Sequence, residues 1–180
     1  FEACGQKPGF MVGGWLKNFD TNHKLPEGDW FITEGDEYDT AFFDKGPKFL
    51  HYRPYAAILT SIEFDHADIF DDLAAIERQF HHLVRTVPQQ GLVVANQQES
   101  LDRVITKGCW SGLERFGTAD GWEVRNVDAA GRFDVFFRGE RQGNLSWDLL
   151  GEHNRMNALA VMAAARHVGV APCIAIEALA

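Results

Sequence analysis

The stretch from Ala56 to Asn96 constrains the fold more than any other part of the chain. It opens on Ala56-Ala57-Ile58-Leu59-Thr60-Ser61-Ile62 and closes on Gly91-Leu92-Val93-Val94-Ala95-Asn96. Both runs are apolar on successive residues, hence on both faces of an extended strand, which suits a parallel sheet covered by helices. Between them Leu73, Ile76, Phe80, Leu83, Val84 and Val87 step by three and four, so the spacing predicts a helix, ended by Pro88 and Gly91. Asp71-Asp72 at its start complements the positive end of the helix dipole. A shorter helix from Glu99 to Lys107 continues the strand-helix alternation.

Around this unit, Asp29-Trp30-Phe31-Ile32-Thr33 reads as a further strand and Phe49-Leu50-His51-Tyr52 as a weaker one. After Gly112, Trp122, Val124, Phe133, Val135 and Phe137 alternate with polar neighbours around an Asp128-Ala129-Ala130-Gly131 turn. This is the pattern of an antiparallel hairpin with one wet face. Gly151-Glu152-His153-Asn154 then leads into an alanine-rich helix from Met156 to Val168. The expected fold is α/β: a mostly parallel sheet flanked by helices, with a small antiparallel β-hairpin region.

A chain of 180 residues is long enough for one domain with a substantial core. Its 46% hydrophobic and 24% charged residues make it an ordinary globular chain, and no apolar run approaches the ~20 residues that span a bilayer. No membrane partner is expected. A formal charge of -9 opposes binding to a nucleic-acid backbone, which calls for a clustered positive footprint. Cys4, Cys109 and Cys173 are odd in number and far apart, which fits a reducing cytoplasm better than a disulfide framework. Phe1-Glu2-Ala3-Cys4-Gly5 has neither the basic start nor the apolar stretch of a signal peptide; it reads as the tail of a helix cut mid-course.

Three constellations could carry chemistry. Glu34-Gly35-Asp36-Glu37-Tyr38-Asp39 places four carboxylates directly after one predicted strand, and Glu63, Asp65, His66 and Asp68 follow another. Ligands of open α/β sheets sit beyond the carboxyl ends of the strands, so the two clusters could face one crevice, where like charges call for a cation. The alternative is solvated loops and helix-starting acids. In the third, Asn154 and Asn157 lie three residues apart at a helix start, where two carboxamides could read an adenine edge or serve as ordinary caps.

Glu34-Gly35-Asp36-Glu37, then Thr60-Ser61-Ile62-Glu63-Phe64-Asp65-His66-Ala67-Asp68, then Gly151-x-His153-Asn154-x-x-Asn157-Ala158 follow the order and spacing of the central-domain motifs of the Mur ligases. These are ATP-dependent amide-bond formers of the peptidoglycan pathway, and the resemblance covers nearly the whole chain. Asp36 to Lys45, His51-Tyr52-Arg53-Pro54 and Gln79 to Pro88 are most similar to one branch. That branch joins UDP-N-acetylmuramate to L-alanyl-γ-D-glutamyl-meso-diaminopimelate in cell-wall recycling.

The resemblance implies that Glu34 and His66 hold magnesium against ATP phosphates, and that Asn154 and Asn157, with His153 beside them, contact adenine. It implies a location in the bacterial, Gram-negative cytoplasm. It also implies that residues 1–180 are part of a P-loop-type central domain without its first strand and phosphate loop. The UDP-binding and C-terminal ligase domains of such enzymes would then lie outside the chain. Four departures stand out. Ser61 occupies a position usually held by asparagine, and Gly35 one where alanine is commoner. No lysine appears on the helix after His66, where Phe80-His81-His82 occur, as expected for the muramate-using branch. No Gly-x-x-x-x-Gly-Lys-Thr loop is present, and Val12-Gly13-Gly14-Trp15 lacks the lysine. The chain alone is therefore expected to lack turnover. Two rivals are a sister ligase that adds L-alanine and a non-catalytic module holding nucleotide or metal.

Overall fold

A computed structural model describes residues 1–64 and 70–180. Asp65, His66 and Asp68 of the second acidic stretch lie outside the described residues. The first third of the chain builds small sheets. Strand β1 (Gly9–Leu16) turns back into antiparallel β2 (Thr21–Lys24) and pairs on its other edge, in parallel, with β3 (Phe31–Thr33). Strands β4 (Asp39–Ala41) and β5 (Asp44–Pro47) form a separate hairpin, and the single turn α1 (Phe49–Tyr52) leads into β6 (Ala56–Leu59).

From β6 the alternation read from the sequence is present: α2 (Leu73–Thr86), β7 (Leu92–Asn96), α3 (Glu99–Thr106) and β8 (Gly112–Phe116). Strands β9 (Trp122–Arg125), β10 (Phe133–Phe137) and β11 (Glu140–Leu145) follow, then α4 (Glu152–His167) and α5 (Pro172–Leu179). One six-stranded sheet runs in the order β11-β10-β9-β8-β7-β6. Strands β6 to β9 are parallel, and β10 and β11 return antiparallel.

Strand β7 explains its own composition. Leu92 and Val94 enter the core beneath α4, while Val93 and Ala95 enter the core beneath α2 and α3, so every residue needs an apolar side chain. Helix α4 approaches the sheet closely because much of what it buries is small: Ala158, Ala160, Ala163 and Ala165, with Leu159 and Met162. Helix α2 starts where Asp72 accepts a hydrogen bond from the Ala75 amide at 2.7 Å, a side-chain cap for an otherwise orphaned N–H. Buried Glu77 ties α2 to α3 through Arg103, with Nε donating at 2.8 Å.

Trp122 marks the change from parallel to antiparallel pairing. It is fully buried, its indole N–H donates to Glu114 at 2.7 Å, and its ring lies 4.7 Å from that of Phe137. Arg166 of α4 bonds the other Glu114 oxygen at 3.3 Å and stacks over Phe137. At the far edge of the sheet β6 is only half covered. Ala57 and Leu59 are buried, but Ile58 is 40% exposed.

Three expectations change. Phe49–Tyr52 is a helical turn and not a strand: Phe49 packs against Phe80 of α2 at 5.4 Å, and Arg53 ends the turn at φ 45°. Four apolar and aromatic residues are too few for their period to distinguish the two forms. The strand expected over Asp29–Thr33 covers only Phe31–Thr33 and joins the three-stranded sheet rather than the large one. The opening residues form a 3-10 turn, Glu2–Cys4, closed by Gly5 at φ 72°. No helix among the described residues is long and apolar enough to cross a membrane.

The hairpin region has a polar hub at Asp134, which accepts from Arg141 at 2.6 Å, Asn126 at 2.9 Å and Asn144 at 3.1 Å. The Arg141 bond first, then the two amides, pull its carboxyl from 3.8 to about 2. Because the folded value is depressed, the stabilisation is complete above 3.8 and is lost as pH falls towards about 2. Asp134→Asn is expected to flatten the pH dependence of urea midpoints across that window; an unchanged slope would show that the hub is idle.

Candidate functional site

The strand ends that the sequence singles out meet at one rim. Asn96, last in β7, donates from Nδ2 to the Thr60 carbonyl just beyond β6, at 3.1 Å. Gly117 follows β8 at φ 76°, and a Cβ there would lie 3.1 Å from Asn96 Oδ1 and 3.4 Å from Met156 Sδ. The ends of β6, β7 and β8 and the first turns of α4 therefore border one another. Gln98 clamps the next residue of the rim by its backbone: Ile62 N–H donates to Oε1 at 2.9 Å, and Nε2 donates to the Ile62 carbonyl at 3.2 Å. Ser100 Oγ adds a second bond to that carbonyl at 3.0 Å. This clamp fixes the backbone of Ile62 at the rim.

Removing the clamp is a local experiment. Gln98→Ala is expected to cost about 1–3 kcal/mol, because two hydrogen bonds to nearly buried backbone are lost together. Urea titration reads it directly, and a loss under about 0.5 kcal/mol would show that water replaces the side chain without penalty.

Glu34 lies elsewhere, at the end of β3, where its amide bonds the Met11 carbonyl at 3.2 Å. Its Oε2 accepts from the Gly13 N–H at 2.7 Å, while Oε1 makes no hydrogen bond among the described residues. The rest of the acidic run is neutralised in part. Asp36 pairs with Lys48 at 2.9 Å and raises the lysine pKa, and Asp39 pairs with Lys45 at 2.7 Å. Asp44 accepts from the Gly46 amide and from His51, which together hold its carboxyl below the usual range. No hydrogen bond among the described residues joins Glu34 to the Thr60–Ile62 rim.

At α4, Gly151 has φ 99°, and a Cβ there would meet the His153 ring at 3.0 Å, so the imidazole folds over the glycine. Asn154 does not cap an amide: its Nδ2 donates to the Leu150 carbonyl at 2.7 Å, which leaves Oδ1 as an acceptor. Asn157, one turn on, is exposed and its side chain makes no hydrogen bond among the described residues. One free acceptor and one free carboxamide on a single helix face can pair with the donor and acceptor of a planar base edge.

The donor set can also be tested against magnesium. No group of three or more His, Cys, Asp or Glu side chains able to hold a metal occurs among the described residues. Glu34 offers one unengaged carboxylate oxygen, which suits an ion that takes one or two carboxylates and retains several waters. His66 lies outside the described residues. The sequence reading missed Asn96, Gln98 and Ser100; the available signal was a cluster of polar residues immediately after a buried strand.

The profile of the Mur ligase middle domain matches residues 23–165. The chain is 50% identical over 180 residues to the UDP-N-acetylmuramate--L-alanyl-gamma-D-glutamyl-meso-2,6-diaminoheptandioate ligase of Escherichia coli (strain K12), covering 99% of this chain and 39% of that protein. It is 35% identical over 171 residues to the UDP-N-acetylmuramate--L-alanine ligase of Salinibacter ruber (strain DSM 13855 / M31), covering 92% of this chain and 34% of that one. The crystal structure of UDP-N-acetylmuramate:L-alanyl-gamma-D-glutamyl-meso-diaminopimelate ligase from Neisseria meningitides superposes with a TM-score of 0.94 at 54% identity. That match covers 99% of this chain and 58% of the other. The chain thus spans about two fifths of the curated relatives it matches.

Proposed function

Because the chain belongs to the Mur ligase family through its middle domain, we propose that it forms the nucleotide-facing part of a bacterial ligase. The proposed reaction joins UDP-N-acetylmuramate to L-alanyl-γ-D-glutamyl-meso-diaminopimelate in the cytoplasm of a Gram-negative cell, with ATP consumed. The observation that most supports the branch is the 50% identity over 99% of the chain to a protein named for that reaction, against 35% to the L-alanine-adding relative.

A carboxylate is a poor electrophile and oxide a poor leaving group, so amide formation needs activation. Transfer of the γ-phosphoryl group of ATP to the muramyl carboxylate gives an acyl phosphate and ADP. The L-alanine amine of the tripeptide then attacks the acyl carbon, phosphate departs, and the amide nitrogen loses a proton. Such transfer depends chiefly on positioning and charge neutralisation. Magnesium, when bound, would neutralise phosphate charge. Glu34 would hold it through its open oxygen, with His66 as the second expected ligand. Asn154 and Asn157, with His153 beside them, would orient the adenine, and the Gln98 clamp would hold Ile62 at the strand-end rim.

A test uses the intact ligase with ATP and UDP-N-acetylmuramate, supplied with either the tripeptide or free L-alanine. A clear preference for the tripeptide is expected; a preference for L-alanine would overturn the branch assignment. A second reading is a module that binds nucleotide or metal without turnover. The chain by itself should form no amide, and turnover by it alone would refute the need for a lysine-bearing phosphate loop.

A further inference from the structure

At the pole where the strands begin, His81 and Arg85 lie four residues apart on α2 and hence on one face. Trp110 follows α3, two residues before β8. The three line an open surface recess of about 340 Å³. The rim bearing Thr60, Asn96 and Gly117 is a strand's length away, roughly 15 Å.

Each lining residue has a capacity that the fold leaves unused. His81 Nδ1 is buried with no hydrogen-bond partner among the described residues. Arg85 makes no ion pair or side-chain hydrogen bond among them, although the last turn of a helix offers it free carbonyls. The Trp110 indole is 62% exposed yet fixed in place: Gly108, at φ 134°, leaves room for it where a Cβ would lie 2.6 Å from Cη2. The His81 and Trp110 ring centroids are 6.3 Å apart at 49°, a corner rather than a slot, so a ligand ring would rest against Trp110 without being sandwiched.

We propose that this corner binds a small anion with an aromatic body. Its ring would lie on Trp110, and its carboxylate would reach Arg85. Arginine suits a planar carboxylate because its fork can donate two parallel bonds. The site is independent of the ligase reading.

The probe is phenylacetate, titrated into the intact protein while the Trp110 indole and Arg85 Nε resonances are followed by NMR. Saturable shifts confined to this corner are expected, with Arg85→Gln weakening binding at least about tenfold and Arg53→Gln leaving it unchanged. Phenylethanol, which lacks the charge, and acetate, which lacks the ring, should each bind at least about tenfold more weakly. Equal binding by Arg85→Gln, equal affinity for acetate, or shifts centred on Asn154 and Asn157 would each overturn the proposal. A Trp110→Phe variant that keeps binding while losing the indole signal would support it, since a smaller ring retains the stacking face.

Discussion

In the intact ligase, Glu34→Gln is expected to fold like the wild type and to lose about 10²- to 10³-fold in turnover, the loss seen when one charge-stabilising group is removed from an active site. The substitution separates two roles of one side chain. The glutamine oxygen can still accept from the Gly13 N–H, now held at 2.7 Å, so the tie between β1 and the end of β3 survives. What disappears is the negative charge on the second oxygen, the atom proposed to hold magnesium. The activity of Glu34→Gln should therefore rise with added magnesium well beyond the concentration that saturates the wild type. Glu34→Ala removes both roles and should lose activity and thermal stability together. Wild-type turnover by Glu34→Gln at ordinary magnesium would remove Glu34 from the metal site.

Trp122→Ala should destabilise the fold by about 3–5 kcal/mol, the range for deleting a large aromatic side chain from a core. More than volume is at stake. Glu114 loses the indole N–H and keeps only the longer bond from Arg166, in surroundings with little access to water. Phe137, on β10, loses its ring neighbour from β9 while Arg166 still lies over it. The sheet changes direction here through a single parallel pairing, Phe116 opposite Trp122, so little else joins β8 to β9. Trp122→Phe keeps most of the packing and removes only the donor, and its cost should be about 1–2 kcal/mol. Urea titration of both variants separates the two contributions. A Trp122→Ala cost below about 1 kcal/mol would mean that the core collapses around the gap.

Much of the large sheet was legible because burial imposes a period. The alternating outlets of β7 and the three-four spacing of α2 leave the same trace in sequence as in structure. The small sheets left none. Strand β1 carries Gly13 and Gly14 and leaves Met11 and Trp15 exposed, so no apolar alternation announces it. Sheet membership of β3 depends on which neighbour it meets, and nothing in Phe31-Ile32-Thr33 records that choice. In the candidate site, Glu34, Asn154 and Asn157 were singled out by their motifs, but their hydrogen bonds were not legible. The Gly13 amide and the Leu150 carbonyl are backbone partners, and backbone groups are the same at every position. Gln98 escaped notice for a related reason, since it grips Ile62 across 36 residues through the main chain alone.

Strand β6 ends the large sheet with Ile58 turned outward and its free edge unpaired among the described residues. Such an edge recognises main chain rather than side chains, so it is a receptor for any extended segment of matching length. Studied by itself, this chain would act as an adhesive: concentrated samples should associate through β6. A short synthetic peptide offered as a strand should compete for that edge and keep the chain dispersed.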